Sequence, residues 1–465
     1  TAAAVASSVT VATGATLTIA STSSLYVNGS VNVKDYESLI IKSDASGTGS
    51  LICDNVDYND ATASVKIERY LPLSFANGGY HYIGTPIDEH STFYNMTDLY
   101  AYRESDLSWL AHDDLTDGFT TYNNAKGYAI RYTAIKTKSF TGEINNASYT
   151  VPVTSTNHGG DVYEHFNLVA NPYASSISAA TFVTENSSLI SNNLYFWNGL
   201  DYSTYNTSLG SGTAGATGAT PDDDIAVGQA FFVDATSSGN VSFTRAMRGA
   251  SSDNFYRKTS FPQLRLLLTS GAEKSDLLLT GHPNSSKNID EYDAKQLTGN
   301  AALSLGSLLN ERAYDIESVP ELSGHSFALI VTANEARTIT FHLENLKDLE
   351  GNQVYLEDKE EGTITDITEN SYTTQVRAGE DRNRFKLGIA KLESDYDVWV
   401  NDGIVTIFKN GKSVQGKVTL IGLDGRILSV SNSTSINNWS ILPSGVYLLK
   451  FDNGTEQEIS KIIKL

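Results

Sequence analysis

Apolar residues come in short alternating pairs over the first fifty or so positions: Val9/Val11, Leu17/Ile19, Leu25/Val27, Val31/Val33 and Leu39/Ile41, then Leu51. A period of two places both members of a pair on one face of a strand. Small turn-forming residues separate the pairs, at Thr13-Gly14-Ala15, Ser21 to Ser24 and Asn28-Gly29-Ser30, so the chain is expected to change direction between them. Short strands stacked in this way predict the last coils of a β-solenoid over residues 1–64, with a hairpin-rich edge as the alternative. A solenoid needs at least about three coils, so this stretch is expected to end a longer array; the start at Thr1-Ala2-Ala3-Ala4 reads as a fragment of a longer precursor or as a mature chain whose signal has been removed.

The pattern then changes. Over residues 65–259, runs rich in aromatic and β-branched residues alternate with Gly, Asn and Asp clusters, as in a β-sandwich. Tyr80-His81-Tyr82-Ile83-Gly84, Gly127 to Tyr132, Leu194 to Asn198 and Gln229 to Val233 are such runs. Ser208 to Pro221, with no large side chain after Leu209, reads as a mobile surface loop. Residues 260–392 read as a second sandwich, opened by Leu264 to Leu268 and closed by Arg384 to Ile389, with a short helix expected between Tyr292 and Asn310. The block 393–465 carries strand-like runs at Val398 to Val400, Ile404 to Lys409, Gly416 to Gly422, Arg426 to Ser431, Gly445 to Phe451 and Glu458 to Lys464. Their spacing predicts an Ig-like sandwich of about seven strands, and Asp424-Gly425 is a hairpin turn signal. The expected fold class is therefore all-β: a solenoid end, two sandwiches and a terminal Ig-like sandwich.

Three signatures in the last block carry a resemblance: Val418-Thr419-Leu420-Ile421-Gly422-Leu423-Asp424-Gly425-Arg426, then Leu442-Pro443-Ser444-Gly445-Val446-Tyr447-Leu448-Leu449-Lys450, then Lys461-Ile462-Ile463-Lys464 before the final Leu465. In this order, at the end of the chain, they resemble the type A sorting domain of proteins exported by the type IX secretion system of Bacteroidota. One departure is Asp424, preceded by Leu423, where that family usually has a polar residue or Asn before the second turn glycine. Glu68 to Leu71, Asn167 to Tyr173, Gly228 to Val233 and Tyr292 to Lys295 also look like segments common upstream of such domains. The resemblance implies export across the outer membrane, recognition of the tail by an outer-membrane translocon and its sorting-domain-binding barrel, and often removal of the tail by a sortase-type peptidase with a lipopolysaccharide anchor in its place. Gly422, Asp424, Gly425, Pro443, Gly445, Tyr447 and Lys461 to Leu465 are the residues expected to form the recognised signal. Gly425 and Gly445 suit positive-φ turns, Pro443 fixes the approach to the second, and Tyr447 fills the core while its hydroxyl reaches the rim. The last strand suits edge pairing with a receptor backbone; closing the sandwich is its other reading.

Composition agrees with a turn-rich β protein: 19% of residues are charged and 40% hydrophobic, and Tyr numbers 25 against 2 Met. The net charge of −21 comes from 54 acidic and 33 basic residues without a long acidic run. Basic residues are not clustered as a phosphate backbone would require, so no nucleic-acid partner is expected. No stretch reaches the roughly 18 apolar residues of a membrane-spanning helix. The single cysteine, Cys53, rules out an internal disulfide and reads as a small buried side chain.

Catalytic signatures are weak. No two of the eight histidines sit four apart as on a zinc helix, and His158-Gly159-Gly160-Asp161 lacks a G-x-S-x-G partner. Asp113-Asp114 and Asp222-Asp223-Asp224 are adjacent acids rather than a glycosidase pair; calcium suits such oxygen-rich turns, a plain solvated loop being the other reading. Trp109, Tyr122, Trp197, Tyr202 and Tyr205 are candidates for a sugar-stacking platform, against the reading that most are core. No cofactor or catalytic residue is implied beyond the calcium candidates. The expected function is that of a non-enzymatic export substrate displayed on the cell surface or released, as an adhesin of attachment or gliding motility. The alternative is an exported polysaccharide-degrading enzyme or carbohydrate-binding protein, with its active site upstream or in the sandwiches.

Overall fold

The structure, a computed structural model, describes residues 2–72, 79–88, 98–112, 118–119, 122–131, 136–216, 219–249, 261–349, 351–391, 396–401, 404–409, 412–413, 416–423, 425–432, 435–436, 442–443, 445–454 and 457–464. Strands dominate it, in many separate sheets. The chain forms two compact units: residues 1–258 with Leu297–Asn300, and residues 259–296 with 301–465.

In the first unit the alternating pairs of the amino-terminal segment become parallel ladders. Ser23–Val33 pairs in parallel with Ala2–Ala6, Val9–Val11 and Ser50–Tyr58, and Leu39–Ile41 pairs in parallel with Leu17–Ile19 and Val65–Leu71. Like residues stack along them: Val9 on Val31 on Val56, and Ile19 on Ile41 on Ile67. Ile41 and Ile67 are completely buried, in one core that continues through Ile83, Tyr128 and Phe140. The turn expected at Asn28-Gly29-Ser30 is instead an irregularity inside the continuous strand Ser23–Val33. A side chain at Gly29 would meet the Ser7 carbonyl oxygen at 2.6 Å, so glycine serves close approach there rather than reversal.

Two antiparallel sheets follow. One has the order Tyr80–Ile83, Tyr128–Arg131, Leu99–Arg103, Ser108–Ala111; the other runs Phe166–Ala170, Ala230–Ala235, Ile190–Trp197, Tyr202–Asn206, Ser211–Thr213. The last strand corrects the surface-loop expectation for Ser208 to Pro221. Gly212 lies so close under the Thr204 carbonyl that no side chain fits, and Thr213 is buried; small residues here permit tight pairing. The unit also holds the helix Ala179–Asn186, whose buried stripe is Ala179, Phe182, Val183 and Asn186. Ser178 caps it by accepting the Thr181 N–H at 3.1 Å.

In the second unit a 12-stranded sheet begins with the hairpin Gln263–Ser270 and Glu273–Gly281. Leu264, Leu266 and Leu268 are fully buried on one face with Leu277 and Leu279. The helix expected between Tyr292 and Asn310 is absent: the segment forms the strands Ala294–Lys295 and Leu303–Leu309. Leu303 and Leu305 are both buried in this sheet's core, the spacing of a strand, and pairing on both sides of Leu303–Leu309 overrides the helix preference of Ala and Leu. The closing segment forms two four-stranded sheets, of which one runs Ile427–Ser431, Lys417–Gly422, Gly445–Asp452, Gln457–Lys464. Leu423, Val446 and Leu448 pack with Tyr355 and Ala390.

Candidate functional site

The first unit holds a cavity of about 360 Å³ lined by Tyr80, Tyr82, Tyr100, Trp109, Tyr163, Trp197 and Tyr202, with Ala129 and Thr298 to Asn300. Strand alternation builds one wall, since Tyr80 and Tyr82 lie two apart on one strand. Ala129 stands opposite both Tyr82 and Tyr100, so the smallest side chain of that row lies between the rings and leaves the space. Trp109 faces Tyr102 across the neighbouring hairpin.

The other wall is the Ile190–Trp197/Tyr202–Asn206 hairpin, where Trp197 faces Tyr202. Asn198 closes this turn, its Oδ1 accepting the Leu200 and Asp201 N–H groups at 3.1 and 2.9 Å. Thr298 to Asn300 are held against it: the Gly299 N–H donates to Asp201 Oδ1 at 2.8 Å, and the Asn300 N–H to the Leu200 carbonyl at 2.7 Å. The Trp197 indole N–H donates to the Tyr80 carbonyl at 2.8 Å, fixing the ring that stacks on Tyr82 with centroids 5.6 Å apart. Tyr163 donates its hydroxyl to the Thr298 carbonyl at 3.3 Å.

The Tyr82 and Tyr202 hydroxyls lie 3.0 Å apart. Burial pushes both phenols well above their ordinary value, so both stay neutral hydrogen-bonding groups. No lining residue is an acid or a base. Charges stand just behind the lining: the Asp201 carboxylate accepts the Gly299 N–H, and the Arg131 guanidinium lies 5.7 Å from the centre of the Tyr80 ring and pairs with Asp98 at 3.2 Å.

Of the five expected platform residues, the fold brings Trp109, Trp197 and Tyr202 together. Tyr205 is 1% exposed in a core with Phe231 and Val233, because it points to the opposite face from Thr204 and the pocket side of its strand. Tyr122 packs with Phe119, His112 and Tyr128 instead. Tyr80, Tyr82, Tyr100 and Tyr163 were missed; the repeated Tyr-x-Tyr spacing at Tyr80/Tyr82 and Tyr100/Tyr102 was the available signal. His158 lies in irregular backbone before the bend at Gly159-Gly160, its Nε2 2.9 Å from the Glu104 carbonyl oxygen. Asp223 caps a helix: its carboxylate accepts the Ser178 hydroxyl and the Ala180 N–H, each at 2.8 Å. Burial, then Asp222 and Asp223, raise the Asp224 carboxyl to about 6. Among the described residues no three acids, histidines or cysteines converge as metal ligands; Asp113-Asp114 lie outside the described residues. Cys53 is buried and free, and desolvation raises its thiol to about 11.

In the second unit the tail signatures meet in register. Gly422 stands opposite Tyr447, and Tyr447 opposite Ile462, while Gly445, Val446 and Leu448 face Lys464, Ile463 and Lys461. Gly425, at φ 73°, makes the turn, its N–H donating to the Gly422 carbonyl at 2.9 Å. Gly445 differs from expectation: at φ 159° it is near extended backbone and starts a strand. The Tyr447 hydroxyl donates to the Pro443 carbonyl at 2.7 Å. Asp424 and Leu465 lie outside the described residues. Among the described residues no helix is long and apolar enough to cross a membrane, which says nothing of a β-barrel.

No curated protein matches the chain. One family model does match, over residues 1–388, stopping short of the segment that carries the tail signatures, and by that match the chain belongs to the family described as Domain of unknown function (DUF8693).

Proposed function

We propose that this chain is an exported protein displayed on the cell surface or released, addressed by its terminal block 393–465 to a type IX secretion translocon and its sorting-domain-binding barrel, and that it acts there as an adhesin rather than as a catalyst. The observation that carries this reading is the register of the tail: three motifs separated in sequence fall side by side as Gly422, Tyr447 and Ile462 on successive strands. Gln457–Lys464 ends that strand order, and an edge strand offers backbone groups to a receptor. Processing by a sortase-type peptidase and attachment to lipopolysaccharide belong to the same reading. So does the finer architecture, in which residues 1–64 end a solenoid, supported by their parallel like-on-like ladders, and the later blocks are sandwiches.

The adhesive role rests on the aromatic pocket, which has hydrogen-bonding phenols and no acid, base or nucleophile placed for catalysis. Fusing residues 393–465 to a periplasmic reporter in a host with this export system tests the address. The reporter is expected outside the cell; its retention in the periplasm would overturn the proposal.

A further inference from the structure

We infer that the aromatic pocket holds the terminal pyranose of an uncharged glycan. This deepens the adhesive reading above and rests on the pocket being its recognition site.

Size comes first. At about 360 Å³ the cavity is at the small end of the roughly 300–1,000 Å³ of ligand pockets, which suits one sugar ring rather than a long chain groove. Its walls are Tyr and Trp rings, and Trp109 is 39% exposed. A pyranose has apolar C–H faces and a rim of hydroxyls; flat rings bury the first, and polar groups must answer the second.

The polar groups present fit that rim. Tyr82 and Tyr202 share one hydrogen bond between two hydroxyls. A hydroxyl pair has two hydrogens, and a single mutual bond uses one, so one phenolic donor is left for a ligand beside the stacked rings. Asn300 is exposed at the same cavity and its carboxamide both donates and accepts. A sugar hydroxyl has the same dual character.

Charge decides the class. An anionic sugar would surrender solvation in a pocket whose lining holds no cation, and burying an unpaired carboxylate is costly. A quaternary ammonium would need ring faces converging on it. Here Tyr82 is stacked on Trp197, and the Tyr80 ring already has the Arg131 guanidinium over it, so the faces of these rings are taken. A neutral ligand meets neither penalty.

The test uses the full chain and tryptophan fluorescence, with isothermal titration to confirm. The probes are neutral oligosaccharides of glucose, galactose, mannose and N-acetylglucosamine, a sialylated and a uronic-acid oligosaccharide, and tetramethylammonium. At least one neutral oligosaccharide is expected to bind, with affinity falling about tenfold or more in Trp109→Ala and less in Trp109→Phe, the variant that keeps a ring against Tyr82, Tyr102 and Phe232 and so keeps the fold. The double variant Tyr82→Phe/Tyr202→Phe, which removes both hydroxyls and keeps both rings, is expected to weaken the same ligand while the ring contacts persist. Binding of only the anionic probes or of tetramethylammonium, abolished by Trp109→Ala, would sink the neutral-sugar assignment but keep the pocket as recognition site. Binding unaffected by Trp109→Ala, or no binding by any probe, would remove both.

Discussion

Glu104 accepts the backbone N–H of His165 on its Oε1 at 3.1 Å, across a gap of 61 residues. The same carboxylate accepts the Thr156 N–H and hydroxyl, each at 2.8 Å, and its side chain has no exposure. Glu104 lies in the short turn between Leu99–Arg103 and Ser108–Ala111, the strands of Tyr100 and Trp109. It therefore fastens the segment bearing Tyr163 to the hairpin bearing two other pocket rings. His165 is held in left-handed backbone at φ 75°, a conformation that costs a non-glycine residue free energy and that these bonds compensate. Glu104→Gln keeps the shape but loses the charge; hydrogen bonds to charged groups contribute about 1.5–3 kcal/mol. The variant is expected to lose about 2 kcal/mol in denaturant unfolding of the first unit, and amide exchange over 154–165 is expected to quicken. Unchanged exchange there would show that the carboxylate is not the fastener.

Acid and alkali are expected to act on different parts of the chain. Burial alone would raise the Glu104 carboxyl, but hydrogen bonds from Thr154, Thr156 and His165 outweigh it and hold it below 4.5. Its contribution is thus present above the ordinary carboxyl value and lost as pH falls below it. Glu317 in the second unit runs the other way: desolvation, aided by Asp293 and opposed by Ser307, raises its carboxyl to about 7. Its stabilising, protonated form is fully present below 4.5, and the contribution is lost as pH rises through about 7. Glu317→Gln is expected to leave second-unit stability unchanged at acid pH and to raise it at alkaline pH, by about 3 kcal/mol at most. Hydrogen exchange followed across this range reads both regions in one sample; a parallel response of wild type and Glu317→Gln would refute the Glu317 part.

Gly299 has no room for a side chain: a Cβ would lie 2.5 Å from the Leu200 carbonyl oxygen and 2.6 Å from Trp197 Cζ3. Gly299→Ala must therefore push against the tryptophan that stacks on Tyr82. Overpacking of this kind costs about 1–3 kcal/mol. The expected readout is a changed tryptophan emission together with a lowered unfolding midpoint, and an unaltered spectrum would mean that residues 298–300 yield instead.

The sequence made the strands of the tail legible almost residue by residue, because Ile404–Lys409 and Gly445–Asp452 alternate or run apolar between clear turns. The helix Ala179–Asn186 was not legible. Its apolar stripe is only three residues, Ala179, Phe182 and Val183, in a stretch dominated by Ser, Thr and Asn, and its decisive signal is a cap at Ser178 shared with Asp223 from 45 residues away. The pocket was half legible. Residue type singled out Trp109, Trp197 and Tyr202, but their partners depend on pairing register, and register places Ala129 opposite Tyr82 and Tyr100 through contacts that local pattern does not encode.

Asp358 and Arg384 form a buried pair in the second unit. Arg384 Nε donates to Asp358 Oδ1 at 2.8 Å and Nη2 to Oδ2 at 2.7 Å, while Tyr372 donates its hydroxyl to Oδ2 at 2.8 Å. Asp358 is fully buried and Arg384 is 7% exposed. Breaking such a pair from one side costs about 3–5 kcal/mol where the other charge is left stranded; Arg384 Nη1 also lies 3.0 Å from Glu360 Oε2, which sets the cost here at the low end, about 3 kcal/mol. Asp358→Ala is expected to lose that much, whereas Tyr372→Phe removes one bond at about 1.5–3 kcal/mol. Equal losses in the two variants, measured by urea unfolding, would show that Glu360 alone satisfies the guanidinium.

The tail offers a test of whether recognition reads a folded unit or a string of residues. Tyr447 is 7% exposed, and its ring lies between Gly422 and Ile462 in register while its hydroxyl reaches Pro443. Tyr447→Phe keeps the ring and loses one neutral hydrogen bond, about 1 kcal/mol; Tyr447→Ala loses the ring as well, at about 3–5 kcal/mol by analogy with other buried aromatic truncations. If the export machinery reads the assembled sheet, secretion of a reporter fused to residues 393–465 is expected near the parent level for Tyr447→Phe and strongly reduced for Tyr447→Ala, in step with protease resistance of the tail. Replacing Lys461 by Ala instead leaves the core residues in place, so a secretion defect there without loss of protease resistance would locate recognition on the last strand itself. Full secretion of Tyr447→Ala with a protease-sensitive tail would show that the address is linear.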